Sequence, residues 1–167
     1  MIKRVSSISY FRNFIFGVED GLVSTVGLIS GIAVADVPKE TIFVTGIILI
    51  LVEAVSMAAA SFLSENSANE YIYHKDNVDK NSIISSLIIF VSYFLSGMIP
   101  LLPYIAYEID FAFKASIIIT MISLVFLGLL DGKITKTKIL TNIYRMTIVG
   151  GLAIAVGVIA GVLISGI

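Results

Sequence analysis

Apolar residues gather into five stretches of the chain, about 14–35, 41–63, 82–104, 111–130 and 146–167, with short polar runs between them. A helix needs about 20 mostly apolar residues to cross a hydrocarbon core of ~30 Å. The pattern therefore predicts an all-α integral membrane protein with five transmembrane helices, residues 1–167 forming a single transmembrane domain. Residues 64–81 read as a short cytoplasmic connection, most simply a solvated amphipathic helix continuing the second span. In the third stretch Pro100 and Pro103 fall within GMIPLLPY, where they are expected to bend the helix or close it down before the loop.

Polar positions inside the stretches modify that picture. Glu19 and Asp20 sit side by side in the first span, and a carboxylate at the bilayer centre costs roughly 2.5 to 3.5 kcal/mol on insertion scales. At helical periodicity Asp20 shares a face with Asn13, Gly17, Ser24, Gly27 and Gly31. A stripe of that kind suits either a wet path or close packing against another helix. Glu19 lies about 100° round the helix, so the two acids need not have one role. The second span carries Glu53 in line with Met57, Ala60 and Ser64. Counting ~1.5 Å per residue from the cytoplasmic ends puts Asp20 and Glu53 at the same depth, roughly 12 Å inside. Gly27, Gly31 and Ala35 repeat every fourth residue in the first span, as do Ala153, Gly157, Gly161 and Ser165 in the fifth. Such spacing lets backbones approach in lipid, within one subunit or across a dimer seam.

Composition agrees with a membrane protein: 57% of residues are hydrophobic, and the mean hydropathy is +1.02. A net charge of -1 offers no basic field for nucleic acid. The distribution of charge is more informative. Of the 11 Lys and Arg residues, all but Lys39 and Lys114 fall at the amino terminus, in the 2–3 and 4–5 connections, or at the start of span five. Positive charge marks the cytoplasm, so the amino terminus is expected inside and the carboxyl terminus outside. The absence of cysteine removes disulfides, thiolate sites and Cys nucleophiles. The first apolar stretch is too long and too acidic for a signal-peptide core, so it is expected to be retained. A prokaryotic plasma membrane is the expected location.

An odd number of helices in so short a chain leaves little room for a pore within one subunit, which favours a symmetric homodimer with the pathway at the interface. Carboxylates bind hard and borderline divalent cations, and a thioether adds a soft contact that favours transition metals. Asp20, Glu53 and Met57 are accordingly the candidate metal ligands, the carboxylates releasing protons as metal enters. Glu19, Ser24, Ser64, Glu65 and Glu70 are candidates for the pathway or for an acidic vestibule. His74, the only histidine, reads as a surface residue. Asp131 and Gly132 read as an ordinary helix end.

Four pieces of the chain, FGVEDGLVSTVGLISGIA, EAVSMAAASFLSENSANEY, GMIPLLPY and RMTIVGGLAIAVGVIAGVL, together resemble the vacuolar iron transporter family of Fe(II) and Mn(II) transporters. The resemblance covers nearly the whole chain. It implies a five-helix homodimer that exchanges divalent metal for protons, with no resident cofactor, and it carries the pathway aspartate onto Asp20 and the methionine onto Met57. The chain departs from the family's plant-type pattern in two respects. The second-helix carboxylate there lies two turns before the methionine, at Leu49 of this chain, so Glu53 looks like a displaced substitute. Those members also have a long Glu- and Met-rich cytoplasmic insert, of which Glu65 and Glu70 look like a remnant.

Two rival readings use the same residues differently. A proton-coupled exporter of organic cations also needs a membrane-embedded acid, but it would want an aromatic-lined pocket where span one has Gly, Ser and Val. A non-transporting membrane scaffold would tolerate loss of either acid, because neutralisation removes a desolvated charge. An enzyme is not expected, because Ser, His and acid do not occur together at membrane depth.

Overall fold

Helix formation follows the apolar stretches and overruns most of them. The computed structural model describes residues 2–35, 37–74 and 79–166. Lys75 and Asp76, expected in the second connection, lie outside the described residues, as do the side chains of Lys3 and Arg4. The elements in order are α1 (Ile2–Ala33), α2 (Lys39–Tyr73), α3 (Lys80–Leu101), α4 (Pro103–Ala106), α5 (Ile109–Thr135) and α6 (Ile139–Ser165). With α3 and α4 taken as one span, 5 helical segments are long and apolar enough to cross a membrane.

The differences from the sequence-based boundaries have local causes. Helix α2 continues through Ser64–Tyr73, as expected of a helix continuing the second span, but it is not simply solvated, because Glu65 on this extension is bonded to α1. It stops at His74, whose left-handed backbone (φ 50) turns its amide onto the Glu70 carbonyl at 2.8 Å. Asp131 is not at a helix end: α5 runs a further turn to Thr135 and closes on Lys136, again left-handed (φ 56). Gly132 serves contact rather than termination, since a Cβ there would come 2.8 Å from Ile139 Cα of α6. The two prolines do close the third span: α3 ends one residue after Pro100, and α4 restarts at Pro103, whose missing amide suits a first helical turn. The Pro100 carbonyl accepts from Ser116 Oγ at 2.7 Å, tying this break to α5.

Helix α1 is the axis of the bundle. It packs extensively on α3 and α6, less on α5, and only sparingly on α2, whereas α3 packs on both α1 and α2. Glycines set these approaches. A Cβ on Gly21 would stand 2.6 Å from the Tyr93 carbonyl oxygen, and one on Gly17 would stand 3.0 Å from that of Ile89, so α3 lies directly on the α1 backbone. On another side of α1, Gly27 faces Ala153 and Gly157, while Gly31 faces Gly157 and Gly161. The small-residue stripes of spans one and five therefore meet each other within one subunit. Apolar cores fill both halves, with Ile29, Ile42, Ile50, Leu101, Tyr104 and Ala112 in one and Leu22, Leu124, Leu127 and Met146 in the other.

Candidate functional site

Asp20 is brought to its place by the glycines that precede and follow it. Because Gly17 and Gly21 let α3 touch the α1 backbone, the intervening acid stands beside α3 midway along α1, half-buried. Glu53 and Met57, on α2, are also half-buried. Glu53 lies within electrostatic reach of Asp20. The two acids, expected at one depth, thus sense each other's charge, on helices that pack more lightly on each other than either does on α3.

On α3 this support presents Tyr93, a residue the sequence reading passed over. Its side chain has 0% exposure, and its hydroxyl meets Ser24 Oγ at 2.6 Å. Ser24 Oγ in turn donates to the Asp20 carbonyl oxygen at 2.6 Å. Tyr93 also lies within electrostatic reach of both Asp20 and Glu53. Its only signal in the sequence was the helical spacing of Ser85, Ser92 and Ser96 around it. These serines are buried and form the face that α3 turns toward α1.

Other candidates lie apart from this group. Glu19 lies within electrostatic reach of Asp20 and also of Asp131 on α5. Glu65 lies 12 residues beyond Glu53, roughly 18 Å along the helix. Its Oε1 accepts from Ser9 Oγ at 2.7 Å and Asn13 Nδ2 at 3.1 Å, and it pairs with Arg12 at 3.7 Å. Asn13 Nδ2 also reaches Ser61 Oγ at 3.1 Å. Glu65 therefore clasps the α2 extension to the start of α1. Ser64, Glu70 and His74 are exposed, and Glu70 accepts from Asn66 Nδ2 at 2.6 Å.

The arrangement brings two carboxylates near each other, with Met57 one helical turn from Glu53 on α2, and a complete coordination shell is not assembled. Among the described residues, no three His, Cys, Asp or Glu side chains are placed to hold one ion. First-row divalent metals take four to six ligands, more than this group provides within one copy.

Comparison with known proteins adds a second line. The VIT family model matches residues 11–83 and 72–162. Vacuolar iron transporter 1 of Oryza sativa subsp. japonica is 34% identical over 77 residues, which are 46% of this chain and 31% of the rice protein. Vacuolar iron transporter of Centaurea cyanus is 35% identical over 77 residues, again 46% of this chain and 31% of the relative. The matched region thus spans less than a third of each relative's length.

Proposed function

The chain belongs to the VIT family, and from that premise we propose that it carries divalent transition-metal ions, Fe(II) or Mn(II), across a membrane in exchange for protons. The observation that carries the reading is the Asp20–Glu53 pair: two half-buried carboxylates from different helices, within electrostatic reach of each other inside apolar spans. Two such charges are tolerable in a low-dielectric interior only when neutralised. A divalent cation does this by ligation, and protons do it when the cation has left, so occupancy by one is linked to release of the other. Met57, one helical turn from Glu53, adds a thioether that ranks transition metals above Mg(II) and Ca(II). Iron is favoured as cargo by the names of the two relatives.

In this reading two copies form the working unit and complete the coordination shell across a two-fold axis. Both acids are only partly buried within one copy, which is what supports a partner's share in the site. The end of the bundle holding Arg12, Lys80, Lys133, Lys136, Lys138 and Arg145 faces the cytoplasm by the charge rule, with Lys39 and Lys114 at the opposite end.

Reconstituted vesicles test this directly. Asp20→Asn and Glu53→Gln are each expected to reduce Fe(II) or Mn(II) flux at least about a hundredfold, as loss of a charged ligand from a desolvated site implies, with the protein still folded. Collapsing an imposed pH gradient should slow metal uptake by the wild type. Wild-type-like flux in either variant removes that residue from the mechanism. Preferential transport of a lipophilic organic cation would replace the metal reading with the exporter.

A further inference from the structure

The hairpin between α5 and α6 carries charge that its own residues do not balance. Lys133, Lys136, Lys138 and Arg145 are all exposed there, and from Gly132 to Ile167 the sequence contains no Asp or Glu. Asp131, the acid nearest in sequence, is half-buried on α5 and forms no ion pair with them; among the described residues the one such pair is Arg12 with Glu65. The acids of the α2 extension are on a helix that makes at most marginal contact with α5 or α6. The turn itself is held in place. The Thr137 amide donates to the Gly132 carbonyl at 3.1 Å and Asn142 Nδ2 to Thr137 Oγ1 at 2.9 Å, while Gly128 and Gly132 let the two helices close on each other.

Register on α6 sets the cations beside apolar surface. Lys138, Thr141 and Arg145 follow one another along one face, all exposed, and Leu140, Tyr144 and Ile148 form the adjoining stripe, also exposed. The helix has 27 residues, about 40 Å, close to the thickness of a bilayer with its headgroups. Arg145, six residues beyond Ile139, therefore has its backbone about 9 Å inward, near the hydrocarbon boundary, where an unpaired cation is costly. Side chains on a helix lean toward its amino terminus, which returns the guanidinium toward Lys138 and the headgroups.

We propose that this face of α6 binds an anionic glycerophospholipid, with its phosphate received between Lys138 and Arg145 and an acyl chain laid along Leu140, Tyr144 and Ile148. Lys133 and Lys136 add to the field that attracts it. A soluble phosphate would satisfy the cations alone, whereas the apolar stripe beside them selects an anion that carries hydrocarbon. The site does not depend on which ion the protein moves.

The chain contains no tryptophan, so one introduced indole reports on its own neighbours. Ile148→Trp places it on the apolar stripe. Ile118→Trp, exposed on α5 one turn from Lys114, places it at the opposite end as a control, where Asp110 one turn from Lys114 offsets the charge. Each full-length variant is reconstituted in mixed phosphatidylcholine and phosphatidylglycerol vesicles with one lipid or the other brominated in its acyl chains, and quenching gives the relative association constant of the two. At Ile148→Trp phosphatidylglycerol is expected to be favoured at least about fivefold, the worth of one cation at a charged surface, and glycerol phosphate added at constant ionic strength should leave that ratio unchanged. Adding Lys138→Gln and Arg145→Gln should bring it within about twofold of unity, as at the control position, whereas Lys138→Arg with Arg145→Lys should retain it. A ratio near one at Ile148→Trp, equal ratios at the two indoles, a preference that survives the Gln pair, or competition by glycerol phosphate overturns the proposal. Should Ile148→Trp fail to fold, Tyr144→Trp on the same stripe gives the same measurement with the same outcomes.

Discussion

Glu65 accepts two hydrogen bonds and an ion pair from α1, whereas among the described residues no hydrogen-bond donor reaches the carboxylates of Asp20 or Glu53. The contrast separates an acid that holds the fold from the two acids that the proposed function assigns to a ligand. Arg12 is 70% exposed and Glu65 18%, so the pairing itself contributes little, about 0–1 kcal/mol. The bonds from Ser9 and Asn13 are shielded and count for more. Glu65→Ala is therefore expected to lower stability by about 1–3 kcal/mol by leaving those donors unpaired, and Arg12→Ala by less than about 1 kcal/mol. Thermal unfolding in detergent measures both, and equal losses would show that the ion pair dominates after all. Asp20 and Glu53 were legible because acids are rare inside apolar runs. Tyr93 was not, since a tyrosine among Phe, Ile and Leu has the appearance of core until its hydroxyl partner is known.

At the level of helices, the contact between α1 and α6 depends on glycines at matched heights. A Cβ on Gly157 would strike the Gly27 carbonyl oxygen, and one on Gly161 that of Gly31, whereas a Cβ on Gly151 meets nothing within 4 Å. Gly157→Ala is thus predicted to force α1 and α6 apart and destabilise by about 1–3 kcal/mol, the scale of overpacking. Gly151→Ala is predicted to be neutral or stabilising by up to about 1 kcal/mol from helix propensity. Melting temperatures of the two variants in one detergent check the difference, and similar losses in both would sink the packing explanation. The spacing of these glycines was visible along the chain and signalled close approach. The partner was not visible, because a four-residue repeat says that a helix face is smooth without saying which other smooth face lies against it. The same holds for α2: its polar extension was read as a solvated helix continuing the second span, and only the structure showed Glu65 bonded to Ser9 and Asn13.

For the whole molecule, two surfaces compete as the seam of the proposed dimer. The small-residue stripes are already consumed inside one chain; of the exposed apolar faces, the one on α2, with Val44, Ile48, Val52 and Val55, carries the half-buried Glu53 and is the seam that the proposed function requires. The chain has no cysteine, so single replacements report cleanly. Val52→Cys is predicted to cross-link between copies in native membranes and Val156→Cys, exposed on α6, to remain monomeric. Cross-linking only through α6 would move the seam and, with it, the shared ion path.

Hydropathy and charge are sums over neighbouring residues, so the amino-acid sequence alone determined five membrane-length helices, the gathering of cations in the segments between them, and the presence of acids within two of the apolar runs. Which groups share a space depends on contacts between residues far apart in the chain. That is why only the tertiary structure decided that the Tyr93 hydroxyl meets Ser24, that Glu65 is a clasp, and that Gly17 and Gly21 of α1 lie against α3 while Gly27 and Gly31 lie against α6. Local periodicity can prepare a face on each helix, but the choice of partner is made by the packing of all the helices at once.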